Sequence, residues 1–191
     1  MKAKQSKKIK VTVDGRVFYG VEGETILQLL KRKGFDIPAL CHHPNLEVKA
    51  NCRVCVVEIK GCETLKTSCS TKLETGMEIF TSSQRVIRAR KTNIELLYAS
   101  HVEKCASCSY RFECDLLKFA RQYKLKINRH TDRKKDRKTY KFKKAVELDG
   151  TQCIDCNNCV EACQLQGISF LEDTNYGSLK EIKPSNDKKK T

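Results

Sequence analysis

The chain has 191 residues, no tryptophan and a formal net charge of +15, with 39% hydrophobic residues. This length allows one medium domain or two small ones, and no apolar run is long enough to span a membrane. The basic start, Met1 to Lys10, lacks the apolar stretch of a signal peptide. We therefore expect a cytoplasmic protein whose cysteines are reduced.

The N-terminal residues predict a β-hairpin followed by a short helix. Residues 9–21 alternate around Asp14 and Gly15, a pair that favours a type I′ turn. Apolar residues at 26, 27, 29 and 30 then mark one face of a helix, with Gly34 placed to end it.

The next segment predicts two more strands separated by a long loop. The loop opens at Pro38, residues 55–59 alternate as a third strand, and Met77 and Ile79 indicate a last one. A small mixed sheet crossed by a helix, with a long loop, is the β-grasp plan. The predicted fold class is therefore α+β.

A helical region is predicted next. Ser82 or Ser83 can cap a second helix, and apolar residues recur at helical spacing from Val86 to Tyr98. Residues 114–123 predict another short helix, with Leu116, Leu117 and Ala120 on its apolar face.

A strongly basic segment follows, with eleven Lys or Arg residues against two aspartates between Lys124 and Lys144. We interpret it as a loop or solvated linker. A sharper hypothesis is a docking surface for an acidic partner, formed by Lys134, Lys135, Arg137 and Lys138. The polar residues from Pro184 to Thr191 are expected to be disordered.

Eleven of the twelve cysteines and one histidine fall into three blocks. Clustered cysteines in a reducing compartment more often hold metal or perform redox chemistry than form disulfides. The remaining cysteine, Cys62, is interpreted as a small buried side chain. The blocks are Cys41, Cys52, Cys55 and Cys69; His101, Cys105, Cys108 and Cys114; and Cys153, Cys156, Cys159 and Cys163.

The first block has ten residues between its first two cysteines, where plant-type ferredoxins have four. With residues 38–44, 51–59, 67–71 and 76–79, it resembles the N-terminal [2Fe-2S] domain of three protein classes. These are the large iron–sulfur subunit of respiratory complex I, iron-only hydrogenases, and the small diaphorase subunit of NAD-linked hydrogenases. The resemblance implies that the first block holds one [2Fe-2S] cluster.

The second block has the spacing His-x3-Cys-x2-Cys-x5-Cys. It resembles the histidine-ligated [4Fe-4S] site that follows the first domain in those families, and imidazole is an acceptable iron ligand. Replacing a thiolate by neutral imidazole removes one negative charge, which should favour the reduced form of the cluster.

The third block has the spacing Cys-x2-Cys-x2-Cys-x3-Cys of bacterial ferredoxins, and predicts a second [4Fe-4S] cluster. In two-cluster ferredoxins the fourth cysteine ligates the other cluster, but this chain has no companion motif, and Gln164 stands where proline usually follows. Either Cys163 closes its own cluster, or a non-cysteine ligand or a partner chain completes it. We favour the first.

These patterns predict five stretches along the chain. The stretches are a β-grasp [2Fe-2S] ferredoxin domain (9–82), a small helical His/Cys cluster module (83–123), a basic linker (124–148), a bacterial-ferredoxin-like cluster segment (149–176) and a polar tail (177–191).

The resemblance implies a non-catalytic electron-transfer subunit of an NAD(P)-linked hydrogenase, formate dehydrogenase or electron-bifurcating complex. Its expected partners are a flavoprotein subunit that oxidises NAD(P)H and at least one further redox subunit. A basic zinc protein that binds nucleic acid is the alternative, because paired cysteines also build zinc ribbons. Three closely spaced cysteines in succession favour a cluster over a single ion. We expect neither a membrane nor a nucleic-acid partner.

Overall fold

A computed structural model describes residues 7–126, 130–142, 146–175 and 180–185. It divides into two units. The first comprises the described residues up to Ala39 and Arg53–Asn93, and the second comprises Leu40–Cys52 and the described residues from Ile94 onward. Within the described ranges, no helix is both long and apolar enough to traverse a bilayer.

The first unit begins with the predicted hairpin. Strand β1 (Lys8–Val13) pairs antiparallel with β2 (Arg16–Val21). The turn residues Asp14 and Gly15 have φ angles of 46° and 81°, the left-handed pair that a type I′ turn requires. The hairpin prediction is confirmed.

Three further strands complete a five-stranded mixed sheet. Strands β3 (Val56–Ile59) and β5 (Glu78–Phe80) match the predicted positions, whereas the two-residue β4 (Lys66–Thr67) was not predicted. The strand order is β2-β1-β5-β3-β4, in which β1 and β5 are parallel and the other neighbours antiparallel. This order agrees with the predicted β-grasp plan and α+β class.

Helix α1 (Ile26–Arg32) supplies much of the core of this unit. Thr25 and Gln28 form a capping box at its start, and Gly34, with φ 81°, follows its end. Its four buried side chains are fully inaccessible, namely Ile26, Leu27, Leu29 and Leu30.

Helix α2 (Gln84–Ala99) begins after Ser83, whose Oγ accepts a hydrogen bond from the Val86 amide (3.3 Å). The capping serine is therefore Ser83. The predicted apolar face is only partly correct, because Ile87 is exposed while Arg90 is buried. The Arg90 guanidinium donates two hydrogen bonds to the Val56 carbonyl (2.8 and 3.0 Å). These bonds stabilise the buried charge, which the helical pattern of apolar residues alone would place in solvent.

The second unit contains short elements. Helix α3 (Asp115–Gln122) confirms the predicted short helix and buries Leu116, Leu117 and Ala120. Strands β6 (Thr139–Phe142) and β7 (Val146–Asp149) pair antiparallel, and β8 (Leu171–Thr174) pairs with β9 (Glu181–Pro184). Helix α4 (Asn158–Leu165) lies between these two strand pairs in the chain.

Two predictions are wrong in this unit. The basic linker contains β6 and the start of β7, because Phe142 packs edge-on against Phe170, with 4.6 Å between ring centroids. Part of the polar tail forms β9, whose Ile182 is buried. The remaining predictions for 127–129, 143–145, 176–179 and 186–191 lie outside the described residues.

Candidate metal centres

All twelve cysteines lie in the described part of the chain, and none forms a disulfide. The four of the first block are buried and occur as two close pairs. In the second unit, the Cys41 thiol is hydrogen-bonded to Cys52. In the first unit, the sulfurs of Cys55 and Cys69 are 3.4 Å apart. Two neighbouring thiolates suit one iron, and each unit supplies one such pair.

The backbone around Cys52 is strained. Ala50 and Arg53 have φ angles of 52° and 55°, in the left-handed region that residues with a Cβ rarely adopt. Such conformations cost free energy and occur preferentially at functional sites. The strain therefore supports a ligand role for this loop.

The hydrogen bond to Cys52, together with burial, raises the pKa of Cys41 well above its ordinary value. The thiol therefore remains protonated at neutral pH unless a metal ion displaces the proton.

The second block lies around a cavity in the second unit. His101 and Cys105 belong to the chain leaving α2, whereas Cys114 is the N-cap of α3 and accepts a hydrogen bond from the Leu117 amide (3.4 Å). One cavity is lined by all four residues of the block, His101, Cys105, Cys108 and Cys114, together with Tyr98 and Gln152.

His101 has the properties of a metal ligand. Its Nε2 atom is buried and has no hydrogen-bond partner within the described ranges. Burial, with the ammonium groups of Lys134 and Lys104, lowers its pKa to about 4. The imidazole is therefore neutral at pH 7, which is the form that binds metals. Its orphaned nitrogen and the three thiols around the same cavity fit a four-iron cluster.

The third block is carried by a loop and a helix. Cys153 and Cys156 lie on the loop, while Cys159 and Cys163 lie one helical turn apart on α4. Burial raises the pKa of Cys159, and the neighbouring thiols of Cys156 and Cys163 raise it further. Cys163 is therefore close enough to act with this set.

Left-handed residues also flank Cys156. Asp155 and Asn157 have φ angles of 56° and 64°, and the Asp155 amide donates to the Cys153 sulfur (3.3 Å). Asp and Asn tolerate this conformation better than most residues, so this part of the loop could have been recognised from sequence. The corresponding Ala50 and Arg53 gave no such signal.

Sequence reasoning missed the contacts of the third block with the loop that carries Cys41 and Cys52. The buried carboxylate of Glu161, on α4, accepts a hydrogen bond from the Glu47 amide (2.5 Å) and pairs with the Lys49 ammonium. The Asn51 side chain donates to the Asp155 carbonyl (3.4 Å). No local pattern reports contacts between residues more than a hundred positions apart.

Two other expectations need correction. Cys62 is partly exposed rather than buried, and it lines an open groove with Lys60 and Lys66. Lys134 and Arg137, expected on a solvated docking surface, keep only 13% and 11% of their side chains exposed because both pair with Asp155. Lys135 and Lys138 are exposed, as that hypothesis requires.

Within the described residues, no group of three or more His, Cys, Asp or Glu side chains converges as a site for one metal ion. A four-iron cube differs in its demands, since each ligand binds a separate iron and the ligands need not meet at one point. His101, Cys105, Cys108 and Cys114 line the second-block cavity without forming such a single-ion group.

Comparison with known proteins bears on the first block. Residues 6–84 match the family model of the 2Fe-2S iron-sulfur cluster binding domain. The match includes all four cysteines of the first block, so the predicted 2Fe-2S domain is confirmed.

Longer similarities extend over most of the chain. It is 32% identical over 184 residues to the NADP-reducing hydrogenase subunit HndD of Solidesulfovibrio fructosivorans, covering 93% of this chain and 31% of that protein. It is 32% identical over 175 residues to an NADH-quinone oxidoreductase subunit of Rickettsia typhi, covering 91% of this chain and 26% of that protein. The chain thus spans less than a third of these curated relatives.

A solved structure shows the same overall similarity. The crystal structure of NAD+-reducing [NiFe]-hydrogenase in the H2-reduced state aligns with a TM-score of 0.85 and 26% sequence identity. The alignment covers 93% of this chain and 75% of the other. The resemblance to hydrogenase and NADH-quinone oxidoreductase subunits, predicted from the three blocks, is confirmed.

Proposed function

We propose that this chain is an iron–sulfur electron-transfer subunit of an NAD(P)-linked oxidoreductase complex. The observation that carries the proposal is the second block, where His101 and three cysteines line one cavity in a chain that also contains a 2Fe-2S domain. When bound, iron–sulfur clusters accept and donate single electrons. The chain's own part is to hold, insulate and tune them.

The cofactors we propose are one [2Fe-2S] and two [4Fe-4S] clusters. Support for the first comes from the domain match and the two buried cysteine pairs, Cys41 with Cys52 and Cys55 with Cys69. His101, Cys105, Cys108 and Cys114 would hold the second, in a helical module over 83–123.

The third set would be Cys153, Cys156, Cys159 and Cys163, in a ferredoxin-like segment over 149–176. We retain Cys163 as the fourth ligand, because it lies on the same helix as Cys159 and close enough to raise the pKa of that thiol. This assignment requires no ligand from outside the chain.

Contacts within the second unit support an order for these sets. The third set contacts the Cys41–Cys52 loop through Glu161 and Asp155. It also lies near the second set, because the Cys108 thiol donates to Gln152 Oε1 (3.6 Å), next to Cys153. We therefore place the third set between the other two in the relay.

The proposed partners are a flavoprotein that oxidises NAD(P)H and at least one further redox subunit, in a cytoplasmic hetero-oligomer. Support comes from relatives whose names describe an NADP-reducing hydrogenase subunit and an NADH-quinone oxidoreductase subunit. The complex would be of the hydrogenase, formate dehydrogenase or electron-bifurcating type. The chain itself would make or break no substrate bonds.

Anaerobic purification from the native host tests this assignment. The chain should co-purify with a flavoprotein, and its clusters should be reduced by NADH or NADPH in the complex but not in the isolated chain. Isolation without any redox subunit, or oxidation of NAD(P)H by the chain alone, would contradict the proposal.

A further inference from the structure

The basic segment carries part of an ion-pair chain that runs from the second block to the third. Lys104, between His101 and Cys105, pairs with Asp132 (2.9 Å) and also donates to the Thr151 carbonyl (2.9 Å). Asp132 in turn accepts a hydrogen bond from the Lys134 amide (2.7 Å). Asp132, in the basic segment, therefore pairs with Lys104, which lies between His101 and Cys105 of the second block.

The chain of contacts continues into the loop of the third block. The Lys134 ammonium contacts Asp155 (2.9 Å) and donates to the Cys153 carbonyl (2.5 Å). Arg137 binds the same carboxylate through both of its terminal nitrogens (2.7 and 3.3 Å). We name the five residues the charge chain: Lys104, Asp132, Lys134, Asp155 and Arg137.

The charge chain is well shielded from water. Exposure of its side chains ranges from 11% for Arg137 to 26% for Lys104. Salt screens such partly buried charges much less than surface pairs. Each carboxylate lies against at least one cation, an arrangement that favours the ionised form of the carboxylate. Three cations against two anions leave one excess positive charge.

This arrangement has two consequences for the third set. The Lys134 ammonium contacts both the Cys153 carbonyl and the Asp155 carboxylate, and so ties together two residues of the loop in which Asp155 has a left-handed φ. The excess positive charge lies next to Cys153, a residue of the third set, and would therefore favour addition of an electron to a cluster held there. Charges and hydrogen bonds around a cluster are established determinants of its potential.

We propose that the charge chain spaces the second and third ligand sets and raises the reduction potential of the cluster at the third set, with Lys134 as the central positioning residue. The inference rests on the proposed function and extends it. It gives Lys134 and Arg137 a role inside the protein, in place of the docking role predicted from the sequence.

The test compares K134Q, K134R and K135Q in the full-length, cluster-loaded protein. The potential of the third cluster is measured by redox titration followed by electron paramagnetic resonance. Lys135 is the matched control, because it is a neighbouring lysine but is exposed. R137Q provides a second variant that removes one charge from the same carboxylate.

K134Q should make reduction of the third cluster at least about tenfold less favourable, which is the effect of removing one charge within about 12 Å at an effective dielectric constant of about 20. For one electron this corresponds to about 59 mV. K134R and K135Q should retain the wild-type potential. An unchanged potential in K134Q would overturn the inference, since a purely structural lysine predicts loss of cluster without a shift.

If K134Q does not retain its third cluster, R137Q provides the same test. The reduction potential of the third cluster should then be lower in R137Q than in the wild type, and an unchanged potential would overturn the proposal. Failure of the proposed function gives a different result. In that case the wild-type protein itself would contain no iron and sulfide to titrate.

Discussion

The first unit buries apolar side chains from both sheet and helix, among them Val13, Leu30 and Ile79, all fully inaccessible. In the second unit, α3 and α4 are eight residues long and the strand pairs have four residues each. Its polar contacts are ion pairs and hydrogen bonds around cysteine-bearing loops. The first unit has an apolar core, whereas the second combines a few buried apolar side chains with ion pairs around its cysteine blocks.

The difference indicates how each unit is stabilised. In the first unit, burial of apolar surface stabilises the fold without a contribution from a cofactor. Small domains with little apolar core commonly need metal, and metal-binding free energy then contributes to folding. We therefore expect the second unit to depend on its clusters far more than the sheet does.

Removing iron should produce the largest effect. After anaerobic chelation, amides in 101–114 and 153–163 should lose protection from hydrogen exchange, because the ligands no longer share a cofactor. Amides of β1 and β5 should remain protected. Mass spectrometry of exchanged peptides gives the measurement, and equal loss of protection in both units would contradict the comparison.

A core truncation should have the next largest effect. Leu30→Ala removes a fully buried side chain of the first unit and should lower the free energy of unfolding by about 2–5 kcal/mol. Leu165→Ala, at a residue that is 63% exposed on α4, should change it by less than about 0.5 kcal/mol. Denaturant titration measures both, and similar losses would show that Leu30 does not contribute as a core residue of the first unit.

The sequence predicts much of the first unit because its signals are local. The Asp14-Gly15 turn, the apolar face of α1 and the position of Gly34 each depend on residues a few positions apart. The ligand blocks are equally visible, since each cysteine spacing is short and regular. The predictions for the first unit missed the two-residue β4, the burial of Arg90 and the partial exposure of Cys62.

The second unit was predicted less well because its order depends on distant partners. Nothing near Lys134 indicates that its ammonium reaches Asp155, and nothing near Glu161 indicates Glu47 and Lys49. Charged residues without local partners are normally assigned to solvent. The basic segment was therefore interpreted as a linker.

Breaking one of these distant contacts should have an intermediate effect. Glu161→Gln weakens the pairing with Lys49, which retains only 19% side-chain exposure, and should cost about 1–3 kcal/mol. Glu172→Gln is the control, because Glu172 and Lys183 form an ion pair that is 3.8 Å long and more exposed. Equal stability of the two variants in denaturant would show that Glu161 does not anchor the loop.

The smallest effect should be a pH dependence in the first unit. The Ser83 hydroxyl, followed by the Arg85 guanidinium, lowers the pKa of Glu58 below its ordinary 4.5. A carboxyl group whose pKa is lowered by folding stabilises the fold at pH values above its ordinary pKa. This stabilisation is lost as the pH falls through the pKa of the group in the folded protein. The stability difference between wild type and Glu58→Gln should therefore be constant from neutral pH to about 5 and shrink in more acidic solution.

Thermal unfolding over this pH range measures the difference. The exposed Glu22→Gln variant serves as a control that leaves the Ser83 contact intact. A difference between wild type and Glu58→Gln that grew in acid would contradict the assigned direction.

The most direct test of the three-cluster account is the iron and acid-labile sulfide content of the anaerobically purified chain. One two-iron and two four-iron clusters predict about 10 irons and about 10 sulfides per chain. Zinc without sulfide would contradict the account as a whole, and about 6 irons would contradict the assignment of one four-iron site.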